Sequence, residues 1–198
     1  MKHLQIDGTL VVPNDKGDMK IEAHSIRVKG NFKAGNSAVP FPNKLLIKIN
    51  GEKGDGQIQI DSLERGNKLI AVTGLLSLYG KSPITDQTRL IATVTPGSTT
   101  MTVKASSDWE VGDELVIGPS FTNHDETEYV TITEKNSNSI TFTPPLNYTH
   151  YGASNLTVYN GFGEIDARAA VGHLTRNIKI VSGGDTSWGY RILAYGYS

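Results

Sequence analysis

The sequence predicts an all-β fold: a right-handed parallel β-helix (a solenoid) that carries an antiparallel β insertion. Three observations lead there. Apolar and polar residues alternate with period two almost everywhere, as in HSIRVKG, LLIKING, TTMTVKA, YVTIT, SITFT and NIKIV. Half-buried strands rich in Val, Ile and Thr read this way. Glycine is abundant, 21 of 198 residues, where ~7% is ordinary. A β-branched–x–Gly triplet also recurs as Ile6-Asp7-Gly8, Val28-Lys29-Gly30, Ile49-Asn50-Gly51 and Val72-Thr73-Gly74, at spacings of 22, 21 and 23 residues.

Residues 1–80 are read as N-terminal coils. Each triplet is followed by a second short apolar stretch: Leu10–Val12, Phe32–Ala34, Ile58–Ile60 and Leu75–Leu78. Strand, glycine corner and strand in about 22 residues is what one solenoid coil requires, and glycine suits a corner that a Cβ would obstruct. An antiparallel sandwich is the structural rival. Residues 81–160 break the period. Pro-Gly and Val-Gly-Asp turns between short strands suit an antiparallel insertion, and Pro144-Pro145 stops a strand because proline cannot donate to a ladder. Helical periodicity is nearly missing, and the best stretch, residues 163–174, allows a turn or two. Residues 161–198 resume the coils with NIKIV and YRILAYGYS. The chain stops on a strand with no evident cap, so further chain is expected beyond it.

Composition narrows the function. With 19 basic and 20 acidic residues and a formal charge of −1, the chain lacks the basic excess that draws a domain onto nucleic acid. Without cysteine it has no disulfide, thiolate metal site or thiol nucleophile. No apolar run reaches the ~18 residues of a membrane span. The motifs HExxH, GxxxxGK[ST] and GxSxG are all absent, which disfavours a zinc signature, a phosphate loop and a serine nucleophile elbow.

The densest polar cluster lies between the strands LVIG and YVTIT: His124, Asp125, Glu126 and Glu128. An imidazole and three carboxylates on one loop can hold a divalent cation, the one cofactor this sequence admits, or polarise a sugar hydroxyl. The competing reading is a solvated charged connection, and strand alternation turns neighbours to opposite faces. Asp86, Asp108, Glu110, Asp113, Glu164 and Asp166 offer carboxylates for glycoside hydrolysis, which needs two of them facing across a cleft. For Asp108, Glu110 and Asp113 a turn-forming role is the stronger reading, with Trp109 a core plug. His150 reads as a hydrogen-bonded loop histidine, and Arg176 and Asn177 as corner residues. Asn147 and Asn155 open Asn-x-Thr sequons that can carry glycans in a secretory setting.

An ordered string spans the chain: GNFKAGNSAVPF, LLIKING, VTGLLSLYGK, TRL, SSDWEVGDELVIG, ETEYVTIT, PLNYTHYG and LTRNIKI. Over roughly residues 20–180 it resembles the G8 domain, a module named for eight glycines. That module occurs in fibrocystin, its fibrocystin-like relative and the cell-migration-inducing type of hyaluronan-degrading protein. The resemblance makes Gly30, Gly35, Gly51, Gly74, Gly80, Gly97, Gly112 and Gly152 counterparts of the family glycines. It implies β-structure leading into a right-handed parallel β-helix, and an extracellular or cell-surface setting. It also implies a glycan or an extracellular protein as partner, with hyaluronan the suggested polymer. Animal members usually carry cysteines and this chain has none, a departure that points to a distant microbial or protist relative. Two functions stay open: a stiff interaction or scaffold module of a larger protein, or part of a polysaccharide-depolymerising enzyme.

Overall fold

A computed structural model describes residues 1–55, 66–120, 122–152 and 166–195, together with the backbone of four short strands lying between these stretches. Among the described residues the structure is β throughout apart from one 3-10 turn, His124–Glu126. The chain forms two compact units, residues 1–81 with 176–198, and residues 82–175.

In the first unit the chain visits three parallel sheets in rotation. The strands β1 (His3–Ile6), β2 (Thr9–Val12) and β3 (Met19–Ala23) make one rung. The next is β4 (Ser25–Val28), β5 (Asn31–Ala34) and β6 (Leu45–Ile49), followed by the short antiparallel pair β7 (Gln59–Ile60) and β8 (Leu63–Glu64). A third rung opens with β9 (Leu69–Val72) and β10 (Leu75–Leu78).

The second unit supplies β11 (Gln87–Arg89), β12 (Thr100–Thr102), β13 (Glu114–Ile117), β14 (Glu128–Asn136), β15 (Ser139–Thr143), β16 (Thr157–Val158), β17 (Glu164–Ile165) and β18 (Ala170–His173). Only then does the chain return, with β19 (Ile178–Ser182) completing the third rung and β20 (Arg191–Ala194) opening a fourth. The three sheets of the first unit are thus β1-β4-β9-β20, β2-β5-β10 and β3-β6-β19, every pair parallel.

Side chains stack in register because the rungs do. Ile6 lies beside Val28 and Val28 beside Val72, Leu10 beside Phe32 and Phe32 beside Leu76, and Ile21 beside Ile47 and Ile47 beside Ile180. Period-two alternation turns each of these residues inward, and most of them are sealed from solvent in one continuous core with Leu45, Ile49 and Phe41.

At the corner between the first two sheets Gly8, Gly30 and Gly74 follow one another rung by rung. The backbone N–H groups of Gly30 and Gly74 reach Ile6 and Val28 carbonyls at 2.9 and 3.1 Å, and those of Asn31 and Leu75 reach Gly8 and Gly30 carbonyls, each at 2.8 Å. A Cβ on Gly74 would run into the carbonyls of Lys29 and Gly30, and one on Gly30 into those of Asp7 and Gly8. The close approach that lets the corners hydrogen-bond is what demands glycine there.

Two expectations are corrected. The Ile49-Asn50-Gly51 triplet does not stack with the other three: Ile49 ends β6 in a different sheet, beside Ala23. Val28 and Val72 are one rung apart, because residues 50–68 lengthen that rung. Strands of more than one sheet end in an apolar–x–Gly triplet, so the triplet alone does not say which sheet a strand joins. The return to the rungs comes at Arg176 rather than near residue 161. Ala170–His173, expected among the resumed coils, pairs antiparallel with β11 and β13.

Asn177 holds the re-entry point, as its corner reading expects. Its Nδ2 donates to the Phe41 and Asn43 carbonyls at 2.6 and 2.8 Å, and its Oδ1 accepts from the Lys81 N–H at 2.9 Å.

The second unit is a single antiparallel sheet, ordered β11-β18-β13-β14-β15-β12, with a separate β16-β17 pair. A register shift between Ile132 and Glu134 interrupts the β14–β15 pairing. Its core gathers Leu115, Ile117, Val130, Ile132, Ile140, Phe142 and Val171 around Trp109, which is 2% exposed. The Trp109 indole N–H donates to the Thr85 carbonyl at 2.6 Å, and its ring stacks on His173 with centroids 5.7 Å apart. The core-plug reading of Trp109 therefore holds.

Candidate functional site

The polar loop ahead of β14 does not bring its four side chains together. Asn123 caps the 3-10 turn by accepting the Asp125 N–H at 3.1 Å. That turn leaves His124 and Asp125 in solvent, 92% and 78% exposed with their side chains 3.2 Å apart, and Glu126 half-buried. Glu128 is the first residue of the strand, and alternation turns it inward, where it is 8% exposed. Among the described residues no three His, Asp or Glu side chains are grouped to hold a metal ion.

Inside, Glu128 meets the fully buried His150. The Nε2 of His150 lies 2.9 Å from the Glu128 carboxylate, and its Nδ1 lies 2.9 Å from the Gly118 carbonyl. The same carboxylate accepts the Asn147 N–H at 2.7 Å, the Asn147 side-chain amide at 3.1 Å and the Tyr148 N–H at 3.1 Å. Burial pushes the Glu128 carboxyl up, but the Asn147 and Tyr148 donors and His150 together outweigh it and hold it below the ordinary glutamate range. The cluster ties the end of β13 and the start of β14 to the 147–150 loop, a structural task.

The sign of the resulting pH dependence follows. Glu128 binds its proton less readily folded than unfolded, so its contribution is complete above the unfolded value. It is lost as pH falls through the lower folded one. Acidification from about 4.5, the ordinary value, is expected to destabilise this unit progressively, and Glu128→Gln to flatten that dependence. Denaturant midpoints measured between pH 5 and pH 2 check this.

Three of the other carboxylates, Asp108, Asp113 and Asp166, are also committed to local structure. Asp108 accepts the Ile84 and Thr85 N–H groups at 2.5 and 3.1 Å. Asp113 accepts the Glu110 N–H at 2.8 Å and lies 2.9 Å from His173. Asp166 is held far below the usual carboxylate range, chiefly by its hydrogen bonds from Arg168. The turn-forming readings of Asp108 and Asp113 are those the structure displays. The side chain of Glu164 lies outside the described residues. So does Asn155, whereas Asn147 is exposed and donates its amide to Glu128.

A groove that the sequence reading did not single out lies in the first unit, where the third sheet turns back to the first. Its volume is about 650 Å³, and Lys53, Gly54, Asp55, Gly66, Asn67, Ser187 and Trp188 line it. These residues come from the segments before β9 and before β20; Asn67 braces the first, and Lys68 joins it to the second. Asn67, 7% exposed, donates to the Glu52 and Asp55 carbonyls at 2.6 and 3.1 Å. Lys68, 1% exposed, sends its ammonium to the Asp185 and Trp188 carbonyls at 2.5 and 3.2 Å. That ammonium also lies 5.3 Å from the centroid of the Trp188 ring, within cation–π range.

Asp55 receives the Glu52 N–H at 2.8 Å and a short contact from His24. The Glu52 donor leads the effects that hold its carboxyl below the ordinary aspartate range, so Asp55 is ionised at neutral pH. The clue to this site is Lys68 itself, a lone cation opening the wholly apolar run Leu69-Ile70-Ala71-Val72. Its partners follow it by well over a hundred residues.

Comparison with known proteins places these features. The G8 domain family model matches residues 1–91. Human Fibrocystin-L is 32% identical over 195 residues, covering 94% of this chain. Dog fibrocystin is 29% identical over 182 residues, covering 91% of it. The chain spans about 4% of the length of either relative. Among solved structures, the tailspike gp61 of Pseudomonas phage phi297 aligns with 86% of this chain and 27% of its own at a TM-score of 0.42 and 10% identity. The G8 match falls on the parallel rungs and the first strand of the second unit. Residues 1–91 of this chain are a G8 domain, within a segment similar throughout to the fibrocystin proteins.

Proposed function

We propose that this chain is a stiff interaction and scaffold module of a larger extracellular or cell-surface protein, built on a right-handed parallel β-helix. The observation that carries this reading is the in-register stacking of three parallel sheets. Successive rungs are hydrogen-bonded along their strands, and the first three also at their glycine corners. Such a body resists bending and presents long flat faces, and right-handed crossovers are the rule for parallel strands. Similarity to a small part of much longer relatives supports a modular role. Its partners in this reading are glycans or extracellular proteins. A depolymerising enzyme draws less support, since Asp108, Asp113, Glu128 and Asp166 each serve a cap, a turn or an ion pair.

The test is binding of the purified chain to intact cells and to extracellular matrix, before and after protease or glycosidase treatment. Saturable binding removed by one treatment is the expected result. Binding no stronger than that of an unrelated β protein on every surface overturns the proposal. Shortening of hyaluronan during incubation would turn it toward the enzyme.

A further inference from the structure

We infer that the groove lined by Asn67 and Trp188 is a saccharide site that takes an uncharged, hydroxyl-rich ligand. The inference rests on the interaction-module reading and specifies where and what the module binds.

The groove is preformed. Lys68 and Asn67 fix the two segments that wall it through four hydrogen bonds, both side chains being almost entirely buried. Its volume of about 650 Å³ falls within the range of small-molecule sites. Its described lining combines an indole, a carboxamide, a hydroxyl, a carboxylate, an ammonium and two glycines.

Charge selects among ligands. Among the described lining residues the ionised Asp55 and Lys53 cancel, so these give neither a polyanion nor a polycation a net attraction. A cation seated on the indole is disfavoured, because the Lys68 ammonium already lies 5.3 Å from that ring. What remains matched is a ligand with an apolar C–H face for Trp188 and hydroxyls, both donors and acceptors, for the polar rim. A pyranose ring has both. The glycines at 54 and 66 keep side chains off the rim, and a Cβ built on Gly54 meets nothing within 4 Å.

The fluorescence of the full chain under titration with neutral hexasaccharides, cellohexaose and mannohexaose, tests this, with a hexa-uronate as the charged comparison. Trp109, 2% exposed in the other unit, should stay silent, so a saturable change reports Trp188. A neutral hexasaccharide is expected to produce that change. Gly54→Phe, which adds a bulky ring to the lining at a position where a Cβ meets nothing within 4 Å, should weaken it at least tenfold, and Trp188→Ala should abolish it. Three results overturn the inference: no saturable change with either neutral sugar, tenfold tighter binding of the uronate, or an unchanged response in Gly54→Phe. Cell-surface binding that survives Gly54→Phe would remove the groove from the module's function while leaving the module standing. Absence of surface binding by the unmodified chain would strike the module instead.

Discussion

Gly74→Ala is expected to destabilise the parallel-rung unit by about 3 kcal/mol or more, a large loss for one methyl group. The added carbon would lie inside contact distance of the Gly30 and Lys29 carbonyl oxygens. Both are backbone atoms, so relief requires the rungs to separate. Separation stretches the hydrogen bonds from Thr73, Gly74 and Leu75 to the rung below, now 2.8–3.1 Å. Overpacking in a core can be absorbed by rotamers, whereas here nothing flexible stands in the way. At roughly 2–4 °C per kcal/mol for a chain of this size, the thermal midpoint should fall by about 6–12 °C. Gly54→Ala is the control: its Cβ meets open space, and loss of unfolded-state entropy should leave it neutral or stabilised by about 0.4–1 kcal/mol. Calorimetry on both variants checks the pair. Equal midpoints would refute the close-approach account of the corner.

His150→Phe should cost the second unit about 3–5 kcal/mol, the usual penalty for leaving a buried carboxylate without one of its partners. The ring lies between two acceptors, the Glu128 carboxylate and the Gly118 carbonyl, each at 2.9 Å. A carbonyl and an ionised carboxylate can only accept, so each ring nitrogen faces an acceptor that phenylalanine cannot serve. Phenylalanine satisfies neither acceptor, leaving a carboxylate and a carbonyl buried without it. The double variant His150→Phe, Glu128→Leu should recover much of the loss, since it removes the uncompensated charge as well. A double-mutant cycle by urea denaturation separates coupling from packing. Strict additivity would mean that the two side chains merely sit side by side.

Much of this architecture can be read from the chain, though not all of it for the right reason. The inward rows through Ile6, Val28 and Val72 are visible because alternation and a glycine corner are local properties. Ile49 misleads because its triplet looks identical while ending a strand in another sheet, and which sheet a strand joins is decided by the lengths of the intervening turns. The turn roles of Asp108 and Asp113 are legible, since short polar side chains beside a tight turn find backbone N–H groups nearby.

The groove is not legible. Lys68 meets the 185–188 segment through a contact that spans well over a hundred residues, and no periodicity encodes it. The loop carrying His124 drew attention through its density of ionisable groups. Residues adjacent along a chain entering a strand point apart, however, and Glu128 leaves its neighbours for the interior.

The third rung cannot close during synthesis until the chain has passed through the whole second unit, because the strand that completes it, β19, pairs with β6 as residue 178 beside residue 45. A floppy intervening stretch would make that closure slow and entropically costly. A compact body with its ends drawn together shortens the effective tether instead, and the bond between Lys81 and Asn177, 96 positions apart, shows how close those ends lie.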